Sequence, residues 1–320
     1  MIAKEREAKK PEVDAKVRLE MSDINEQYEL TDTLIEQLIN SSCPNDQEWA
    51  AMYKIKRRQD KGEINAHQAL KAIGKLDPKT QEMRVFTYII PLYYYLRNAE
   101  YSNLAEMSTI VDVDLIESNP VIRNSYYNRL QALLAASAFS QNKLTRARFH
   151  CSYGINCTNT DRLVAYSYLT LGNTYILNDY DQAKEYYLNG LQHSMDNPQR
   201  KLQLTRSLAF LENYWGKENK WINRQSAEQD DLYGQVFELI VKKEYDRAIQ
   251  MLDELFESPL CDNQLGFHYY YLGLIYDHED YFLKSVEHFK KSGEKYFLDC
   301  PITELHRLGT DSRLLDLLTI

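Results

Sequence analysis

Residues 269–289 read YYYLGLIYDHEDYFLKSVEHF, and this spacing predicts two helices joined by a tight turn. In its second half the small Ser285 is preceded three places earlier by Phe282 and followed four places later by Phe289. Leu272, Gly273 and Tyr276 stand one helix earlier, where a hairpin needs a close helix approach and an aromatic wedge. The same bulky–small–bulky pattern recurs at Leu144/Ala147/Cys151, Tyr180/Ala183/Tyr187 and Tyr245/Ala248/Leu252, and the small residues are separated by 36, 65 and 37 positions. A period of about 34 residues with one degenerate unit in the middle accounts for these intervals. The unit around Leu171, Gly172 and Tyr175 matches one residue short.

One amphipathic hairpin cannot hide its own apolar face, whereas stacked hairpins share a continuous core and present a concave surface to a partner. The breakers between helical segments are short: SSCPND (41–46), LDP (76–78), SNP (118–120), DNPQR (196–200), ESPLCDN (257–263) and DCP (299–301). In SNP and DCP proline suits the first turn of a new helix, because its fixed φ and missing N–H cost nothing there. The expected fold is therefore all-α, a tetratricopeptide-like superhelical stack of hairpins, with an irregular helical bundle as the alternative. Residues 1–311 form the repeat domain in this reading, and 312–320 a terminal helix. There Leu314, Leu317 and Leu318, with Leu315 and Ile320 beside them, make an apolar strip. The strip either caps the last repeat or forms a self-complementary dimer contact.

Composition agrees with a helical chain. The 320 residues include only 11 Gly and 8 Pro, roughly half the usual share, which argues against an all-β fold. Apolar residues make up 44% and charged ones 27%, enough for a sizeable core, and the net charge of −9 does not favour nonspecific binding to nucleic acid or anionic lipid. No signal peptide or membrane span is legible, so a cytoplasmic location is expected. Cysteines 43, 151, 157, 261 and 300 are odd in number and never spaced C-x-x-C, and are expected to be reduced, buried and inert.

The usual catalytic signatures are missing. Neither G-x-x-x-x-G-K-[ST] nor G-x-G-x-x-G occurs, and G-x-S-x-G and H-E-x-x-H are also absent. The seven histidines are scattered, and His268, His278 and His288 lack the i, i+3 or i, i+4 spacing that a metal pair on one helix favours. The expectation is a protein that is not an enzyme and has no metal or cofactor. More informative are polar residues set in apolar helical stretches, since a buried amide or guanidinium needs a partner. In DRLVAYSYLTLGNTYIL (161–177), Arg162 and Asn173 fall 11 residues apart, within about 20° on one face and roughly 16 Å along the axis. A bidentate guanidinium and a donor–acceptor carboxamide at that spacing suit an extended peptide with a free C-terminus. Local pairing of each side chain is the plainer explanation.

YLTLGNTYILNDYDQAKEYYLNGL (168–191), FLENYWGKENKWI (210–222) and the segment 266–297 resemble the arbitrium receptors of temperate phages, the AimR family. The likeness extends upstream through EMSDIN, QEW and YKIKRR and downstream through TELHRLGTDSRLLDLLTI. This resemblance implies a hairpin stack that binds a short secreted phage peptide, commonly six residues ending Gly-Ala, in its central groove. In the family the peptide-free dimer binds DNA and activates a gene opposing lysogeny, and peptide switches it off. By similarity Arg162 holds the peptide's C-terminal end and Asn173 its backbone. Ile176, Phe210 and Tyr296 fall at apolar wall positions, and Asn263 and Glu294 at polar positions for the rest of the peptide.

Three positions depart from the family pattern. In ALLAASAFS (132–140), Ala136 and Ser140 replace asparagines, and Tyr233 replaces an amide. The family opens with a DNA-binding helix-turn-helix domain that has no equivalent within residues 1–45, so DNA is an expected partner only where a longer form supplies that domain. The resemblance implies a peptide-pheromone receptor core that forms a homodimer and makes no membrane contact. The alternatives are an adaptor that mixes with full-length receptor and, more remotely, a phosphatase-like role.

Overall fold

The computed structural model describes residues 14–157, 160–194 and 197–319. Among them every regular element is helical. The first helices are α1 (Ala15–Ile24), α2 (Tyr28–Ile39), α3 (Pro44–Asp60), α4 (Ala66–Leu76), α5 (Gln81–Arg97), α6 (Tyr101–Ser108) and α7 (Pro120–Ser140). They are followed by α8 (Leu144–Cys157), α9 (Asp161–Asn173), α10 (Tyr180–Gln192), α11 (Pro198–Tyr214) and α12 (Gln229–Val241). The last are α13 (Tyr245–Phe256), α14 (Asp262–Tyr276), α15 (Glu279–Ser292), α16 (Asp299–Leu308) and α17 (Ser312–Thr319). Pro120 opens α7 and Pro301 stands in the first turn of α16, as expected for SNP and DCP; Pro44 and Pro198 also open helices, and Asn197 caps α11 by accepting from the Arg200 N–H. No described helix is long and apolar enough to cross a membrane.

Contacts divide the chain into two compact units. The first holds residues up to Tyr95 together with Asn103–Arg129, and the second holds Leu96–Ser102 together with Leu130 onward. In the first unit Trp49, Tyr53, Phe86 and Tyr126 stack in series with centroids 5.8, 4.8 and 4.9 Å apart. Each such ring pair adds roughly 0.5–1.5 kcal/mol beyond its burial. Beside this stack Arg129 pairs with Glu20 and Asp23, and Lys56 with Asp23, all four side chains being buried. Burial alone would push the Asp23 carboxyl up, but Lys56 and Arg129 outweigh it and hold the group below its usual range.

The second unit is built from hairpins. Helices α9 and α10 pack against each other, as do α12 with α13 and α14 with α15. The small residues of all four repeat patterns, Ala147, Ala183, Ala248 and Ser285, are completely buried. Ser285 also donates from its hydroxyl to the Gly266 carbonyl at 2.7 Å. Gly273 lets α15 approach α14: a Cβ there would lie 2.5 Å from the Phe282 ring. Gly172 does the same for Tyr187 between α9 and α10. Asp277 turns the chain between α14 and α15 with φ +51°, and Tyr276, half exposed, stacks on Tyr281 at 5.4 Å.

The degenerate unit in the sequence has a structural cause. Where a second repeat helix would follow α11, residues 215–228 contain no helix. Polar anchors hold this segment instead. Trp215 Nε1 donates to the Ile176 carbonyl at 2.8 Å, and Asn219 Nδ2 donates to the Ala209 carbonyl at 2.7 Å and to Asn213 Oδ1 at 2.8 Å. Arg224 closes it onto Glu238 of α12.

The cysteine expectation needs correction. Cys151 and Cys300 are buried, but Cys43 and Cys261 are exposed because they occupy the N-cap positions of α3 and α14. The side chain of Cys157 lies outside the described residues. Burial pushes the Cys151 thiol up to about 12, which keeps it protonated and inert.

Candidate functional site

Within the second unit a cavity of about 310 Å³ opens between α9, α11, α12 and α14. Its apolar wall is aromatic: Phe210 meets Phe237, Phe267 and Phe297 at centroid distances of 5.4, 5.9 and 5.8 Å. Ile176 joins this wall and is held from behind by the Trp215 bond to its carbonyl. Hydrogen-bonding groups interrupt the apolar surface, among them the carboxamides of Asn173, Asn263 and Gln264 and the hydroxyls of Ser207 and Tyr233.

Asn173 is pinned through its Oδ1, which accepts from the Tyr187 hydroxyl at 2.8 Å. That bond fixes the amide plane and leaves Nδ2 with no protein acceptor among the described residues. The Tyr233 hydroxyl is buried without a hydrogen-bond partner, and burial raises its pKa well above the ordinary tyrosine value. A buried polar atom left unmatched costs about 1–3 kcal/mol, which a ligand atom can recover. The rim is charged: Arg206 bonds Asp231 at 2.7 Å, Glu228 at 2.7 Å and Asp230 at 3.1 Å. Three carboxylates therefore share one guanidinium at the mouth.

A second polar cluster lies around Glu294. Burial pushes this carboxyl up to about 7, against the stabilising bonds from the Tyr296 N–H, at 3.3 Å, and from Ser140. The Lys295 N–H donates to the Ser140 carbonyl at 2.7 Å, and Tyr101 also reaches the Ser140 hydroxyl. Gly293, with φ +77°, bends the chain immediately before Glu294. A third cluster joins α9 and α11, where the Arg200 guanidinium lies 4.5 Å from the Tyr166 ring centroid.

The positions singled out in the sequence thus separate into groups. Asn173, Ile176, Phe210, Tyr233 and Asn263 line one cavity although they come from four parts of the chain. Ser140 and Glu294 touch each other outside that lining. Arg162, half-buried in the first turn of α9, and Ala136, half-buried on α7 one turn before Ser140, do not line the cavity. Tyr296 is not a wall residue of the cavity. It is fully buried against Phe139 at 4.7 Å, with its hydroxyl accepting from the Leu177 N–H at 3.4 Å.

Sequence reasoning missed Arg206, Asp230, Phe237, Phe267, Tyr271 and Phe297 as lining residues. The aromatics read as ordinary core, and the only available signal was the i, i+4 pair Phe267/Tyr271. Among the described residues no group of three or more His, Cys, Asp or Glu is placed to hold a metal ion.

The family model described as AimR transcriptional regulator-like matches residues 6–307. The chain belongs to the AimR family. It is 36% identical over 306 residues to the AimR transcriptional regulator of Bacillus phage phi3T, covering 96% of this chain and 80% of that protein. The AimR transcriptional regulator of Bacillus phage SPbeta is 35% identical over 306 residues, with 96% and 79% covered. The solved structure of SeMet-phAimR matches with a TM-score of 0.84 at 36% identity, covering 96% of this chain and 80% of that chain. The structure of phAimR-Ligand matches at 0.80, also at 36% identity, covering 93% and 88%. AimR proteins are transcriptional regulators and not enzymes.

Proposed function

We propose that this chain is a peptide-pheromone receptor core of the arbitrium type, acting in the cytoplasm of a phage-infected or lysogenic host on the choice between lysis and lysogeny. The observation that carries this reading is the cavity itself, where Asn173, Asn263 and Tyr233 interrupt an aromatic wall. Paired amides offer a donor and an acceptor to a peptide unit, and aromatic walls take apolar side chains. At about 310 Å³ the space is at the small end of ligand pockets, so it receives part of a short peptide and neighbouring residues hold the rest. A ligand-bound relative of the same fold supports the reading.

The cognate ligand in this proposal is a secreted peptide of about six residues ending in Gly-Ala, with Arg162 holding its C-terminus and Glu294 and Ser140 meeting its other groups. Ala136 and Ser140 remove amides worth about 1 kcal/mol each to a hydrogen-bonded peptide, which shifts the preferred sequence away from that of relatives. Calorimetric titration with a library of such hexapeptides tests the reading. Binding is expected to weaken at least tenfold in Arg162→Ala and in Asn173→Ala, and unchanged heats in both variants would contradict the site.

The exposure of Leu314 and Leu317 on α17, 46% and 65%, favours homodimerisation through this helix. The same surface would serve an adaptor that pairs with another receptor of the family.

A further inference from the structure

The first unit holds a hollow of its own, lying between α4, α5 and residues 110–115 and wholly inside that unit. At about 560 Å³ it is larger than the cavity of the second unit, about 310 Å³, and falls in the range of small-molecule sites. Its walls are Leu70 and Ile73 from α4, Val85 and Tyr88 from α5, and Ile110 and Leu115 from the segment opposite. Ile73 and Val85 are core residues, whereas Tyr88, Ile110 and Leu115 are 39%, 53% and 55% exposed. Large apolar side chains kept in water around a concavity lose free energy that the body of a ligand recovers.

Gly74, in the last turn of α4, leaves this space open. Gly172, Gly266 and Gly273 each have an aromatic ring of the paired helix where a Cβ would stand, but a Cβ at Gly74 would meet nothing within 4 Å. Glycine weakens a helix relative to residues with a side chain, and helix packing does not account for it here. Gly74 lines the hollow.

Charge at the rim is uneven. Arg84 donates from Nε to the Pro78 carbonyl at 3.2 Å, which sets the plane of its guanidinium, and among the described residues its Nη1 and Nη2 make no hydrogen bond. The two carboxylates of the lining are already engaged: Asp77 with the Lys79 ammonium, and Asp112 with the Asp114 N–H at 3.1 Å. The charge left for a ligand is the Nη1–Nη2 edge of Arg84, two parallel donors that match the two oxygens of a carboxylate.

We propose that this hollow binds a small amphipathic carboxylate, its apolar chain or ring resting on Leu70, Tyr88, Ile110 and Leu115 and its carboxylate on the Arg84 fork. The site is separate from the peptide cavity and does not rest on the receptor reading.

The test titrates the full chain by calorimetry with hexanoate, octanoate and decanoate, and with n-octanol as the neutral counterpart, in wild type, Arg84→Gln and Gly74→Leu. Wild type is expected to bind octanoate several-fold more tightly than n-octanol. Arg84→Gln, at an exposed position, should remove that preference and leave the affinity for n-octanol unchanged. Gly74→Leu, which puts a side chain into the hollow, should weaken every probe tenfold or more while melting no lower than wild type. Should that variant melt lower, Ile110→Ser at an exposed position takes its place, with a several-fold loss expected. Equal binding of octanoate and n-octanol by wild type, or a carboxylate preference that survives Arg84→Gln, overturns the assignment of Arg84. Undiminished binding in the Gly74 and Ile110 variants overturns the site. Wild type that binds none of the series rejects the inference and leaves this apolar face to a macromolecular partner.

Discussion

Two titratable groups in the second unit, the buried His268 and the half-buried Glu294, pull stability in opposite directions with pH. His268 carries a buried Nδ1 with no partner, and burial lowers its pKa to about 4. It is therefore neutral in the fold, and the stability this provides is present above its unfolded value near 6.5 and is lost as pH falls toward 4. Glu294 behaves the other way. Its folded value of about 7 lies above the ordinary 4.5, so its contribution is full below 4.5 and is lost as pH rises through 7. Asn173 was legible as a residue to watch because polar residues in apolar helices need partners, and it lines the cavity. The titration of Glu294 was not, since it depends on how Ser140 and Gly293 enclose it. Glu294→Gln should raise stability by up to about 3 kcal/mol above pH 7, with the gain shrinking toward pH 4.5. Thermal melts across that range check this, and a gain independent of pH would show that the carboxyl does not titrate as described.

At the scale of elements, the repeat pattern identified the hairpins because a small buried residue is what lets two helices approach. Tyr187 on α10 faces Gly172 on α9, and Ser285 and Phe289 on α15 face Gly266 on α14. Replacing Gly273 by Ala would place a methyl group 2.5 Å from the fully buried Phe282 ring, which has little room to retreat. Overpacking of this kind costs about 1–3 kcal/mol, even though alanine is the better helix former. Chemical denaturation of Gly273→Ala should show that loss, and an unchanged midpoint would mean that the α14–α15 contact is looser than it stands. The segment 215–228 resisted sequence reading for the converse reason. Its order comes from the side-chain bonds of Trp215, Asn219 and Arg224 to carbonyls and a carboxylate elsewhere in the chain, and no periodicity records such bonds.

For the whole molecule, the terminal helix divides its leucines between two tasks. Leu315 is 2% exposed in the core of the second unit and Leu318 packs against it, while Leu314 and Leu317 face outward. The capping and dimer readings of the strip therefore concern different side chains, and the proposal assigns association to the outer pair. Leu314→Ser with Leu317→Ser should convert a dimer to a monomer in sedimentation without lowering the melting temperature of the monomer. Leu315→Ala should cost about 2–5 kcal/mol in stability. A double variant that sediments like the wild type would remove α17 from the dimer contact. Ile320, counted in the strip, lies outside the described residues.

By itself the sequence determined that this chain is helical, where its hairpins turn and which small residues sit between paired helices, because each follows from interactions over three to seven positions. It also carried the resemblance to the family, through contiguous motifs such as WGKENKW. Only the tertiary structure decided that Asn173, Phe210, Tyr233 and Asn263 share one cavity, and that Tyr296 belongs to the core. Those facts depend on which helix faces meet, and on the cost of leaving a charge or a hydroxyl out of water. Neither is written at any single position along the chain.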